Sequence, residues 1–314
     1  MNHLITGGAG FIGSELIDYL LENTNNHVIC LDNFQSGSKR NLMNAITSPR
    51  FDLIRHDVCD PIRLEVDRIW HLACVASPNR YQINPIATTK TNVLGTMNML
   101  GLAKRCGARM LFTSTSEVYG DPEISPQPES YLGNVNNIGV RSCYDEGKRL
   151  AESLCFDYLR IHNIDVKIAR VFNTYGPRLG ADDGRVISNF VNQSINGKPL
   201  TIYGDGSQTR SFCYIDDLIH GLNSLMNSNS VGPINLGNPQ EVSINDLAEL
   251  VSELSNKKLE FVYEELPSDD PHRRCPDISR AIEELHWSPK VSLRDGLSFT
   301  IRSLRSCSEA LTIG

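Results

Sequence analysis

The sequence predicts an α/β fold built on a doubly wound parallel sheet, and three observations predict it. An apolar N-terminal strand runs straight into a Gly-x-x-Gly-x-x-Gly turn. Short apolar runs then alternate with stretches of helical period. A Ser/Thr-rich strand end, Thr113-Ser114-Thr115-Ser116-Glu117, is followed 27 residues after Glu117 by Tyr144-x-x-x-Lys148. Strands alternating with helices are the pattern of a parallel sheet covered on both faces.

The first strand, Leu4-Ile5-Thr6, enters Gly7-Gly8-Ala9-Gly10-Phe11-Ile12-Gly13 and then a helix beginning near Ser14. Glycine is needed where the turn takes unusual backbone angles and a pyrophosphate must approach bare backbone. The helix start adds free N–H groups and a partial positive charge. This is a Rossmann-like fingerprint. A second strand, Val28-Ile29-Cys30-Leu31, ends at Asp32, 19 residues beyond Gly13. An acid there accepts hydrogen bonds from the adenosine ribose hydroxyls and repels a 2′-phosphate. NAD is therefore expected over NADP, although Lys39-Arg40 lies nearby. A third strand, Phe51 to Arg55, leads to His56-Asp57-Val58, placed to frame the adenine. A fourth, over 68–73, carries Trp70 and His71, which read as core.

The strand beginning Arg109-Met110-Leu111-Phe112 delivers Thr113 to Glu117 to the carboxyl edge of the sheet, where open α/β sheets bind ligands. Tyr144 and Lys148 fall on a helix expected over Ser142 to His162. Their i, i+4 spacing puts them on one face, with Cβ atoms about 5–6 Å apart. A free tyrosine titrates near 10 and is a poor base at neutral pH, but a fixed ammonium stabilises its phenolate and the nicotinamide charge adds to that. A drop of about three units requires roughly 4 kcal/mol of differential stabilisation. Thr115 is placed to bond the same substrate oxygen.

After a strand over 165–170, Val171-Phe172-Asn173-Thr174-Tyr175-Gly176-Pro177-Arg178 leaves the nucleotide part. The expected division is 1–172 for an NAD-binding domain, rejoined around 211–236, and 173–314 for a smaller C-terminal substrate-binding lobe. Arg185 and Asn189 begin a helix whose start suits an anion. The run from Tyr203 to Arg210 reads as a strand and tight turn, with Arg210 able to grip a phosphate. Ser243-Ile244-Asn245-Asp246 reads as a capping box, and the apolar stripe after it, Leu247, Leu250, Val251 and Leu254, as core.

Composition narrows the function. At 40% hydrophobic residues the chain can bury a sizeable core. A net charge of −7 argues against general affinity for nucleic acid or membranes. The nine cysteines lack metal-ligand spacing, so no metal is expected, and their odd count fits free thiols in a reducing compartment. No signal peptide is recognised, and no apolar run approaches the ~18 residues of a membrane span, so a cytoplasmic location is expected.

Long runs of the chain, over about 4–297, resemble the extended short-chain dehydrogenases/reductases (the NAD-dependent epimerase/dehydratase family) acting on nucleotide sugars. Within that group the chain is similar to the UDP-glucuronate decarboxylases, or UDP-xylose synthases. The carriers are His71-Leu72-Ala73-Cys74-Val75-Ala76-Ser77-Pro78, Arg141-Ser142-Cys143-Tyr144-Asp145-Glu146-Gly147-Lys148-Arg149 and Asp183-Gly184-Arg185-Val186. Asp269-Asp270-Pro271-His272-Arg273-Arg274-Cys275-Pro276-Asp277 completes them. The resemblance implies NAD held by Gly7, Gly10, Phe11, Ile12, Gly13, Asp32, Asn33, Phe34, Ser36, Gly37, Asp57, Val58, Leu72, Cys74, Thr91, Thr113, Tyr144, Lys148, Thr174 and Arg185. It implies UDP-glucuronate held by Lys90, Glu117, Tyr144, Asn173, Arg185, Asn189, Tyr203, Arg210 and Arg274.

The implied reaction has Tyr144 taking the 4-hydroxyl proton while NAD takes hydride from C4. The 4-ketone then loses carbon dioxide as an enolate bonded by Thr115 and Tyr144, and returned hydride gives UDP-xylose. Lys148 supports Tyr144, Glu117 acts through a water and repels the substrate carboxylate, and Arg274 orients the sugar nucleotide. A 4-epimerase or 4,6-dehydratase is the alternative, although a dehydratase of this group usually carries Thr-Asp-Glu where Thr115-Ser116-Glu117 stands. A silent NAD or sugar-nucleotide sensor has no need of the full reacting set. Helices over 92–106 and 143–162 match those that make a homodimer through a four-helix bundle. Their Leu94, Met97, Leu150 and Leu154 equally suit an intramolecular core. Departures from the family are Val75, Leu132 in place of Trp, Asn137 in place of Pro and His286 in place of Gly.

Overall fold

The computed structural model describes residues 1–180, 183–265 and 273–312, with side chains to 306. The Asp269-Asp270-Pro271-His272 part of the C-terminal motif lies outside the described residues. Strands β1 (Asn2–Thr6), β2 (His27–Asp32), β3 (Phe51–Arg55), β4 (Arg68–His71), β5 (Arg109–Thr115), β6 (Val166–Val171) and β7 (Ile234–Leu236) make one sheet. Its order is β7-β6-β5-β4-β1-β2-β3, and every pairing is parallel. The strand order reverses between β1 and β4, so their carboxyl ends open a crevice. β4 stops at His71, two residues short of the expected end, because Leu72 and Ala73 turn away into the crevice wall.

Strand side chains alternate between faces, and the sequence supplies apolar residues to both. Ile5, Cys30, Trp70, Leu111 and Ala169 pack on one face beneath helix α1 (Phe11–Asn23). Leu4, Leu31, Ile69, Met110, Phe112 and Ile168 pack on the other. There they meet α2, a continuous run of Pro85–Lys90, a π-helical stretch Thr91–Gly95 and Thr96–Cys106, and α3 (Ser142–His162). Burying each such leucine or isoleucine contributes about 1.5–3 kcal/mol. Gly147, inside α3, lets α2 and α3 approach closely: a Cβ there would lie 3.0 Å from Asn92 Nδ2. Trp70 and His71 are core, as expected. Burial pushes His71 down to about 3, and it bonds Thr6 Oγ1 at 2.8 Å and Thr96 Oγ1 at 3.2 Å.

Past β6 the chain alternates between sheet edge and crevice rim. Helix α4 (Val186–Ile195) lies beyond the carboxyl ends, and α5 (Ile215–Asn227) returns to the α1 face ahead of β7. Helix α6 (Ile244–Ser255) starts at the expected capping box, with Ser243 Oγ accepting from Asp246 N at 3.0 Å. The C-terminal helices are α7 (Ser279–Leu285) and α8 (Leu293–Thr312). Strand Thr209–Ser211 pairs antiparallel with Glu241–Ser243 and parallel with Arg273–Arg274, which sets Arg274 beside Arg210. No helix among the described residues is long and apolar enough to cross a membrane.

Candidate active site

The carboxyl ends of β1, β2, β4, β5 and β6 surround a cavity of about 870 Å³, within the range that small-molecule sites occupy. On its nucleotide side the chain is shaped by backbone. Gly7 sits at φ +70°, where a Cβ would stand 2.8 Å from Ala73 Cα, so the turn closes against the β4 loop only with glycine. Asp32 caps the same turn: Oδ2 accepts from Ala9 N at 2.9 Å and Oδ1 from Phe34 N at 2.7 Å. Burial raises its pKa, with those two N–H groups pulling against the shift. A carboxylate has about four lone-pair sites, so two remain for a ribose diol. The residues therefore fit a dinucleotide.

Gly7, Gly10, Phe11, Ile12, Gly13, Asp32, Asn33, Ser36, Val58, Leu72, Cys74, Thr91, Thr113 and Thr174 all line the cavity. Four expected residues do not. Asp57 stands behind Asn33 and accepts from its Nδ2 at 2.9 Å, while Phe34, at φ +62°, and Gly37 shape the loop without lining it. Lys90 is exposed on α2, away from the cavity wall.

The reacting groups converge from β5 and α3. β5 runs through Thr115 into a 3₁₀ turn, Ser116–Tyr119, and Thr115 Oγ1 accepts from Glu117 N at 3.2 Å. Tyr144 is buried, hydrogen-bonds Thr115 and stacks on Tyr81 with ring centroids 5.1 Å apart and planes 3° apart. Lys148 Nζ donates to Thr113 O at 2.8 Å and lies 6.0 Å from the Tyr144 ring. Burial pushes the Tyr144 phenol well above its usual value, and the groups pulling it back are Thr115 and Arg185. The Lys148 ammonium is itself held by a carbonyl, and burial lowers its pKa, so this lysine alone does not bring the phenol into the neutral range.

Glu117 brings a correction. Its Oε2 accepts from Arg141 at 2.5 Å and from Arg274 at 3.1 Å. Arg274, 2% exposed, also donates to Ser116 Oγ and Gly120 O, so its position is fixed rather than solvated. Burial opposes the Glu117 charge, but the two guanidiniums outweigh it and hold the carboxyl below the usual range. One anion between two cations is a compensated charge. It does not repel a substrate carboxylate, the role that Glu117 alone suggested.

The remaining expected residues ring the far wall. Asn173, Arg185, Asn189, Tyr203 and Arg210 line the cavity. Arg185 precedes the first turn of α4 and is forked on Asp183, with one bond at 2.9 Å, and Asn189 donates to Gly184 O at 3.2 Å. Sequence reasoning missed Tyr81 and the part played by Arg141. Arg141 was visible in the Arg-Ser-Cys-Tyr run, but its partner Glu117 lies 24 residues earlier on another element. Nothing local marked Tyr81 as the ring beneath Tyr144.

Residues 4–300 match the family described as GDP-mannose 4,6 dehydratase. UDP-glucuronic acid decarboxylase 3 of Arabidopsis thaliana is 62% identical over 297 residues, 95% of this chain and 87% of that relative. Two solved structures share the whole architecture. UDP-glucose 4-epimerase from Thermotoga maritima, with UDP-glucose, superposes with a TM-score of 0.90 at 29% identity, over 98% of this chain and 100% of that one. UDP-glucuronic acid 4-epimerase from Bacillus cereus, in complex with UDP-glucuronic acid and NAD, gives 0.88 at 31% identity with the same coverage.

Proposed function

This chain belongs to the UDP-glucuronic acid decarboxylases within the GDP-mannose 4,6 dehydratase family, and from that premise we propose that it converts UDP-glucuronate to UDP-xylose and carbon dioxide, with NAD as a recycled cofactor. The observation that carries this reading is the Glu117–Arg141–Arg274 cluster beside Thr115 and Tyr144. It sets two guanidiniums next to the proton-handling pair, where an anionic sugar must be held.

NAD supplies the hydride acceptor and donor at C4 of the sugar. Gly7, Gly10 and the start of α1 hold its diphosphate, and Asp32 holds its adenosine ribose. Tyr144 takes the proton of the 4-hydroxyl, aided by the Lys148 charge and by the positive charge of an oxidised cofactor. When the carboxylate leaves as carbon dioxide, its electron pair passes toward the 4-keto oxygen. Thr115 and Tyr144 donate hydrogen bonds there as charge develops. Arg274 and Arg141 orient the sugar acid, and Arg185, Arg210 and the start of α4 hold the nucleotide diphosphate, a task given chiefly to residues 173–314.

We also place the protein in the cytoplasm as a homodimer. Supporting the first, the eight cysteines among the described residues are all free. Supporting the second, Leu94, Met97 and Leu150 stand 42–49% exposed on α2 and α3. Light scattering of a Leu94→Lys, Leu150→Lys variant should read a monomer where the unsubstituted protein reads a dimer.

The likeness to a UDP-glucuronic acid 4-epimerase makes epimerisation the reading to exclude. Incubation with UDP-glucuronate and substoichiometric NAD⁺, followed by NMR, separates the two. Carbon dioxide with a pentose nucleotide supports decarboxylation, and a 4-epimer that keeps its carboxylate overturns it.

A further inference from the structure

Tyr144 is followed by a carboxyl group that the reaction above leaves unused. Asp145, in the first turn of α3, is 7% exposed, and its Oδ1 has no hydrogen-bond partner. The groups facing it are Glu117 from the turn after β5, Arg274 from the Arg273–Arg274 strand and Tyr81 from the helix Pro78–Tyr81. Arg141, Cys143 and Glu146 face it from its own element. Asp145 and Glu117 thus share one water-poor neighbourhood but not one environment. Glu117 takes the direct bonds of both arginines, and Asp145 keeps the unpaired oxygen. Burial first, then the Glu117 charge, pushes Asp145 up to about 7, while Glu117 is held low. Two acids split in this way separate a proton donor from a permanent anion.

We propose that Asp145 is a positioning residue that stores the proton returned to the sugar and passes it through Glu117 toward C5 once carbon dioxide has left. The inference rests on the decarboxylation reading. The C5–carboxylate bond breaks and its electron pair enters the enolate. As the enolate returns to the 4-ketone, the Glu117 carboxylate takes the Asp145 proton and delivers it to C5, ending as the anion it began, and a proton from solvent water restores Asp145. Nothing is oxidised or reduced in this step.

The test uses the full chain with NAD⁺ and UDP-glucuronate. Asp145→Asn should lower kcat about 10–100-fold with KM nearly unchanged, as the loss of a proton-transfer partner does. The pair carrying one proton, on Asp145, is the active form, so kcat of the unsubstituted enzyme should fall as pH rises above neutrality, and the variant should lose that limb. A larger share of the variant's turnovers should end as released 4-keto pentose. A second measurement needs neither turnover nor a folded variant: ¹³C-carboxyl NMR of aspartate-labelled enzyme should show an aspartate titrating near neutral pH. An unchanged kcat–pH profile and product ratio in Asp145→Asn, or no aspartate titrating above about pH 5, overturns the proposal. Failure of the decarboxylation reading appears separately, as no carbon dioxide from the unsubstituted enzyme, and overturns both.

Discussion

The Asp32 turn and the Glu117 cluster each hold a buried carboxylate, and they hold it by opposite means. Asp32 is fixed by backbone N–H groups, at Ala9 and Phe34. Glu117 is fixed by guanidiniums 24 and 157 residues away in the chain. Backbone donors come with the turn, so Asp32 is placed as soon as β1, α1 and β2 pack. Guanidiniums keep their own charge wherever they stand, so Glu117 is an ion pair assembled only by the complete fold. The first arrangement suits a ligand shared by many enzymes, and the second suits a choice of chemistry.

That contrast can be broken from the chemical side first. Tyr144→Phe removes one oxygen from the reacting group and should cut turnover by about 10³-fold, the scale of a lost acid–base partner. NAD binding, followed by fluorescence titration, should remain within a few-fold, because the Asp32 turn is untouched.

Arg274→Ala tests the ion-paired side. It leaves Glu117 with one cation and strips Ser116 Oγ and Gly120 O of a donor. Removing one partner of a buried pair costs about 3–5 kcal/mol, readable as a lower urea midpoint at neutral pH. The Glu117 carboxyl is held low in the folded state, so its contribution is present above the ordinary carboxylate range and is lost as pH falls through its folded pKa. The Arg274→Ala penalty should therefore shrink in acid.

Asp145→Asn should move stability the other way. Its folded pKa of about 7 stands above the ordinary aspartate value of 3.8. Between those values the native state keeps a proton that the unfolded chain has released, so the cost of keeping Asp145 grows with pH and is complete above neutrality. The variant should be more stable by about 2 kcal/mol at alkaline pH and unchanged in strong acid. A tenfold change in proton affinity is worth about 1.4 kcal/mol, and asparagine gives part of that back because it keeps an unpaired oxygen. A less active and more stable variant would mark a site that trades stability for function.

On the backbone-held side the effects are smaller. Asp32→Ala should weaken NAD about tenfold and narrow its preference over NADP, as loss of charge-assisted bonds to ribose does. Calorimetric titration of the two cofactors reads both. Smallest is His286→Gly, outside both regions. His286 ends α7 at φ +52° and is exposed, so glycine relieves a left-handed backbone at no packing cost. An increase of about 0.5–1 kcal/mol in unfolding free energy is expected, and activity should not change.

Features whose geometry lies within a few residues were legible in the chain alone. The glycine turn, the acid ending β2, the Ser142–His162 helix with Tyr144 and Lys148 on one face, and the Ser243 cap all stand where periodicity and turn chemistry put them. These are backbone constraints, and a window of a few residues contains their cause. What the charges do was settled by packing. Lys148 bonds the Thr113 carbonyl, Glu117 is neutralised between Arg141 and Arg274, Lys90 is left outside, and Asp145 is raised beside them. A charge takes its energy from burial and from every other charge nearby, and both are properties of the packed molecule rather than of neighbours in the chain.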